Sequence, residues 1–210
     1  MKIYPIPMVP GPVKVPQSVL EAYQVNYGSG DIEKDFIDLY LQTEAQLQKI
    51  YATKNRVVIQ TGEGMLALWT ALKSCLLPGD RVLCIASGLF GFGLADMARA
   101  IGAVTRTVDI PYNQTITDWQ AIETAIADFR PKMITVIHCE TPSGTLNPLK
   151  RLGELKAQYD VPLLYVDAVS SAGGAPILTD EWHIDLALGG AQKVVSAPAA
   201  MSFLTVSEKA

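Results

Sequence analysis

From residue 56 onward the chain alternates short apolar runs with amphipathic stretches, and no other feature restricts its fold as strongly. The runs at 56–60, 81–86, 104–108, 132–138, 161–166, 184–188 and 201–206 are rich in Val, Ile and Leu and short enough for strands. The intervening stretches at 65–77, 89–101, 117–129 and 149–159 carry helical spacing. Pro78-Gly79-Asp80 stops the first helix and Gly102 the second, while Thr117 or Asp118 can cap the third. Several runs are apolar at every position, so their strands need cover on both faces. The expected fold is therefore α/β, a mostly parallel sheet flanked by helices. In such sheets ligands bind beyond the carboxyl ends of the strands.

The chain has 210 residues, 49% hydrophobic and 18% charged, enough for one large domain around a sizeable core. Net charge is −4 and no basic stripe interleaves with aromatics, so no nucleic acid is expected as partner. The start, Met1-Lys2-Ile3-Tyr4-Pro5-Ile6-Pro7, has no apolar signal core, and no later run is long enough to cross a bilayer. A cytoplasmic protein without a membrane partner is expected. Prolines 5, 7, 10, 12 and 16 make residues 5–16 extended, and residues 31–51 carry an amphipathic helical stripe with a flaw at Thr43. Cys75, Cys84 and Cys139 are scattered and lack a CxxC pair, so neither a disulfide framework nor a metal site is expected. Cys84 reads as core filler, and Glu140 beside Cys139 would raise its pKa rather than activate it.

The residues at the strand ends carry chemistry. The run Ile184-Asp185-Leu186-Ala187-Leu188-Gly189-Gly190-Ala191-Gln192-Lys193 reads as a buried strand that stops at two glycines and presents one lysine. Such a lysine is ordinarily a solvated loop charge. The run 161–166 ends in Asp167, a carboxylate that could bind a metal, cap a turn or pair with a cation. Together, Lys193 and Asp167 suggest imine chemistry on a pyridine cofactor, with the carboxylate holding the ring nitrogen protonated. Thr61-Gly62-Glu63-Gly64-Met65 leads from a strand into a helix, either as a plain tight turn or as an anion cradle suited to phosphate. It matches neither the dinucleotide fingerprint nor a Walker loop. Glu63 would oppose phosphate, so its side chain is expected to point away and serve through its backbone. Phe90 can lay its face on a flat ring or simply fill core. In His138-Cys139-Glu140-Thr141-Pro142-Ser143-Gly144, Thr141 offers a hydroxyl and His138 reads as structural. Ser143, His138 and Asp167 also admit a Ser/His/Asp hydrolase, although no GxSxG elbow is present.

Taken with Val9-Pro10-Gly11-Pro12, these motifs resemble the class V aminotransferases, pyridoxal-phosphate enzymes of fold type I, over essentially the whole chain. The likeness is strongest to alanine–glyoxylate and serine–pyruvate aminotransferases, with 2-aminoethylphosphonate–pyruvate aminotransferases beside them. The resemblance implies pyridoxal 5'-phosphate as cofactor, Lys193 as Schiff-base lysine and proton shuttle, and Asp167 as partner of the ring nitrogen. It implies phosphate contacts from Gln192 and the backbone at Glu63, Gly64 and Met65, a cofactor contact from Thr141, stacking by Phe90, and Gly11 beside the substrate carboxylate. Phe90 stands where relatives often have Trp, and Met65 where they often have His.

The implied reaction moves an amino group from alanine or serine to a 2-oxo acid such as glyoxylate or pyruvate, in a homodimer. The implied organisation is an extended arm over 1–30 and a cofactor-binding large domain over 31–210. Relatives run on into a small C-terminal domain whose arginine grips the substrate, and this chain ends at Ala210 without it. A truncated, non-catalytic domain that binds cofactor or a partner subunit therefore stands as an alternative. Desulfuration on the same scaffold requires a cysteine on a mobile loop, and no cysteine follows Lys193.

Overall fold

The computed structural model describes residues 9–210. Pro5 and Pro7, and the rest of the start on which the missing signal core was read, lie outside the described residues. The strands are β1 Arg56–Thr61, β2 Arg81–Ala86, β3 Val104–Asp109, β4 Met133–Ile137, β5 Cys139–Glu140, β6 Thr145–Leu146, β7 Leu163–Asp167, β8 Leu186–Gly190 and β9 Met201–Val206. The helices are α1 Gln17–Ala22, α2 Lys34–Ile50, α3 Gly64–Cys75, α4 Leu89–Ala100, α5 Trp119–Phe129 and α6 Lys150–Gln158.

Seven strands form one sheet in the order β1-β9-β8-β7-β4-β2-β3. The pairs from β8 to β3 are parallel, whereas β9 runs antiparallel to both β8 and β1. The alternation along each strand divides the core. Leu83 and Ile85 of β2, with Ile134 and Val136 of β4, face α5 and α6 through Ile122, Ile126, Leu152 and Leu155. Val82, Cys84 and Met133 face the other way, onto Ala67, Leu68 and Leu72 of α3 and Leu94, Ala95 and Ala98 of α4. Cover on both faces is why these strands carry almost no polar side chains.

Three features depart from the sequence reading. Residues 17–22 are helical within a segment expected to be extended: Pro16 closes the extended part and the run after it has no proline. Residues 139–146 fold into a two-stranded hairpin, too short to show as an alternating run. Strand β8 begins at Leu186 rather than residue 184, because the Asp185 carboxylate turns back to accept the Leu164 N–H at 2.8 Å. The flaw at Thr43 is absorbed locally, since its hydroxyl donates to the Leu39 carbonyl at 2.8 Å within α2.

Candidate active site

Strands β7 and β8 are neighbours, with Asp167 opposite Leu188, so the ends that carry Asp167 and Lys193 lie side by side. Lys193 sits just past β8 in a tight turn closed by the Ser196 N–H on the Lys193 carbonyl at 3.0 Å. The arm crosses over it. Val13 N–H donates to the Gln192 carbonyl at 3.0 Å, and a β-carbon on Gly11 would come within 2.5 Å of Lys193 Cδ. Glycine at 11 therefore lets the backbone rest directly on the lysine stem. A cavity of about 250 Å³ opens there, lined by Glu63, Met65, Phe90, Thr141, Asp167, Gln192 and Lys193 among others. Gly64 lies behind it as the first residue of α3. A side chain at Gly64 would strike Val169 at 2.9 Å, which keeps that helix end close to the strand ends.

The two principal groups have opposite environments. Lys193 is only 9% exposed, and burial lowers its pKa against the opposing pull of Asp167, Cys139 and Glu63. A lysine so placed releases its proton more readily than a surface one, as a nucleophile must. Asp167 is 5% exposed, and burial lifts its pKa from the ordinary 3.8 to about 7, partly offset by the Val169 N–H on its carboxylate at 2.9 Å. Glu140 raises it further and Lys193 draws it down.

Asp167 thus holds its proton more tightly in the fold than in the unfolded chain. Stability conferred by the protonated form is lost as pH rises from about 4 to about 7, and the loss is complete above that window. Asp167→Asn keeps the acceptor for Val169 and cannot ionise. The ligand-free variant is expected to melt several degrees above wild type at pH 8 and level with it near pH 4. A uniform difference at both pH values would refute this.

One contributor was not recognised from the sequence. In the sequence Glu140 stands out only as a neighbour of Cys139, yet it is fully buried and its carboxylate caps α4, accepting Phe90 N–H at 2.9 Å and Gly91 N–H at 3.2 Å. It fixes the helix end that presents Phe90 to the cavity. Gly88 admits it, because a β-carbon there would meet Glu140 Cγ at 2.6 Å. The signal was a helix beginning Gly88-Leu89 with no Ser, Thr, Asp or Asn at its cap, which requires a cap from elsewhere. Thr141 shares a short hydrogen bond with Ser170. His138 is buried and held near pKa 4 by burial, with Nδ1 2.9 Å from Ser171 Oγ. Ser143 instead donates to Thr145 at 2.9 Å. His138 and Ser143 are thus committed elsewhere, and the hydrolase reading fails.

Glu63 contradicts its expected orientation. Its side chain turns into the cavity and accepts a hydrogen bond from Gln192 Nε2 at 3.1 Å. Because Glu63 makes no side-chain capping bond to its own helix, the carboxylate is free to reach across to the strand end. Among the described residues no cluster of His, Cys, Asp and Glu could hold a metal. A wider groove of about 820 Å³ lies at the opposite end of the sheet, near Arg81, Arg130 and Lys132. It holds no buried reactive group, and Lys132 is paired with Asp80 at 2.7 Å, so chemistry belongs to the smaller cavity.

Residues 9–210 match the model of the family described as aminotransferase class-V. The chain belongs to the class V aminotransferase family. An uncharacterized aminotransferase of Methanocaldococcus jannaschii is 35% identical over 204 residues, covering 97% of this chain and 52% of that protein. The structure of alanine–glyoxylate aminotransferase from Nostoc sp. aligns with a TM-score of 0.91 at 31% identity, covering 100% of this chain and 56% of that one. Pyridoxamine–pyruvate aminotransferase from Mesorhizobium loti aligns with a TM-score of 0.88 at 31% identity, covering 96% and 51%. The chain therefore spans about half the length of the relatives it matches.

Membership of the class V aminotransferases implies pyridoxal 5'-phosphate. The ring half of the cavity fits: a buried carboxylate without a salt-bridge partner among the described residues, a buried lysine and an aromatic face lie around one space. The phosphate half does not fit as well, because Glu63 and Gln192 already occupy each other there.

Proposed function

We propose that this chain is the cofactor-holding part of an aminotransferase that moves an amino group from a small amino acid, alanine or serine, to a 2-oxo acid such as glyoxylate or pyruvate. One observation carries the reading: a lysine and a carboxylate, both buried, end adjacent strands and face the same cavity. A buried aspartate with no salt-bridge partner among the described residues is costly, and a protonated pyridine nitrogen would supply one. The names of the similar structures, alanine–glyoxylate and pyridoxamine–pyruvate aminotransferase, support a small amino donor and a 2-oxo acid acceptor.

When bound, the pyridoxal ring supplies an electron sink for the substrate's α-carbon. The protein's own residues do the rest. Lys193 Nζ would be the attachment point for the aldehyde and, once freed by substrate, the base that takes the α-proton and delivers it to the carbon that had carried the aldehyde. Asp167 would keep a proton on the ring nitrogen, Phe90 would pack on the ring face, and Thr141 would offer its hydroxyl to the ring's polar edge. Gly11 and Pro12 close the arm over the lysine and limit water.

The division proposed is an arm over 1–30 and a body over 31–210. A second copy of the chain is the proposed partner, and the apolar residues exposed along the arm and α2, among them Leu20, Tyr23, Ile37 and Leu41, support that pairing. No helix among the described residues is long and apolar enough to cross a membrane.

Borohydride reduction after incubation with pyridoxal or its phosphate tests the reading. The expected result is one stable adduct on the peptide containing Lys193, removed when alanine is added before reduction. Labelling spread evenly over surface lysines, or none, would overturn it.

A further inference from the structure

The end of the cavity beside α3, where the phosphate of pyridoxal 5'-phosphate would lie, already holds a carboxylate. A helix N-terminus attracts anions because its first N–H groups lack intrahelical partners. At the start of α3 no side chain caps those N–H groups, but a carboxylate already stands beside them. The Glu63 carboxylate lies in the same cavity and occupies the Gln192 amide, accepting from Nε2 at 3.1 Å. Gln192 is 6% exposed, and its other polar atom, Oε1, is buried with no partner. It lies over Gly190, where any β-carbon would come within 2.6 Å of it.

Two consequences follow. A phosphate dianion entering here would meet a carboxylate, and like charges placed together out of bulk water repel strongly. It would also find the amide donor engaged and bring only acceptors to a carbonyl oxygen that needs a donor. A neutral hydroxymethyl group suits the same surroundings. Its O–H can donate to Glu63 or Gln192, and its oxygen can accept from a free N–H of α3. Reversing the Gln192 amide does not rescue the phosphate, because it would set a carbonyl oxygen against the Glu63 carboxylate.

We propose that Glu63 makes this site selective for the unphosphorylated pyridine alcohol, pyridoxal or pyridoxamine, over the corresponding 5'-phosphate. The proposal rests on the pyridoxal reading of Lys193 and Asp167 and deepens it. If the ring carries no phosphate, it lacks the contacts a phosphate would add to those of Lys193, Asp167, Phe90 and Thr141. It can then enter and leave as a substrate rather than remain as a resident group.

Calorimetric titration of the full chain with pyridoxamine and with pyridoxamine 5'-phosphate tests this, since neither amine can form a covalent bond to Lys193. Wild type is expected to bind pyridoxamine at least about tenfold more tightly than its phosphate. In Glu63→Ser the phosphate is expected to gain about tenfold or more while pyridoxamine changes by less than about threefold. Glu63→Gln, which keeps the size and removes the charge, is expected to move the phosphate in the same direction and guards against a folding defect in the serine variant. Tighter binding of the phosphate by wild type, unaffected by either substitution, would overturn the selectivity and leave the pyridoxal reading intact. Failure of both ligands to bind wild type or variants would overturn the pyridoxal reading and the selectivity with it.

Discussion

Lys193→Ala is expected to lose covalent capture of pyridoxal completely and to slow amino-group transfer by roughly 10²- to 10⁴-fold from loss of the base alone. The size of the effect follows from where the lysine stands. Its Nζ reaches a cavity whose other reactive or polar groups are two carboxylates, a hydroxyl and an amide, beside an aromatic ring, none of which can replace an amine as both nucleophile and base. Burial disfavours its charged form, so a neutral methyl at position 193 removes a costly group rather than a stabilising one. The fold should therefore survive, with an unchanged circular dichroism spectrum. Lys193→Arg retains a cation that does not lose its proton and should be as inactive as alanine. Single-turnover measurement of keto acid release from alanine checks both variants. Full activity in either would remove Lys193 from the chemistry.

How much of this was legible beforehand depended on what kind of signal each residue carried. Strands β2 and β9 matched the expected limits because apolar runs with polar borders mark their own ends. The convergence of Thr61–Met65, Phe90, Thr141, Asp167 and Lys193 followed from one rule, that loops after parallel strands gather at one edge of the sheet. Side-chain direction at those loops followed no such rule. Glu63 was expected to turn outward because a carboxylate beside a phosphate is unfavourable. That expectation assumed the phosphate, and the hydrogen bond to Gln192, 129 residues away, decided otherwise. Glu140 escaped notice for a related reason. Its partners at Phe90 and Gly91 lie 50 and 49 residues earlier, and a cap supplied from so far away leaves only a missing local cap as its trace. The hairpin at 139–146 has two residues in each strand, below the length at which alternation can be read.

The largest loss of stability is expected far from the cavity, at Asp185. Its carboxylate pairs with Lys156 Nζ at 2.8 Å with both side chains almost fully enclosed, 5% and 8% exposed. It also accepts the Leu164 N–H at 2.8 Å and the Ser207 hydroxyl at 2.9 Å. Lys156 adds a hydrogen bond to the His183 carbonyl at 3.2 Å. This network joins α6, β7, the entry to β8 and the segment after β9, near the sheet edge opposite the cavity. Asp185→Ala leaves a buried ammonium without its anion and the Leu164 N–H without its acceptor, at a cost of about 3–5 kcal/mol. Native domains have a margin of only about 5–15 kcal/mol, so the variant should unfold at a much lower urea concentration. Asp185→Asn is expected to lose less, since it keeps an oxygen for Leu164. The pair is needed because each charge compensates the other. Lys156→Met combined with Asp185→Ala should therefore be more stable than Asp185→Ala alone, although the second change removes a further native side chain. A double variant as unstable as the sum of the two single changes would mean that Asp185 acts only through Leu164 and Ser207. Because the pair lies away from Lys193, the transfer rate of whatever protein remains folded should be unchanged.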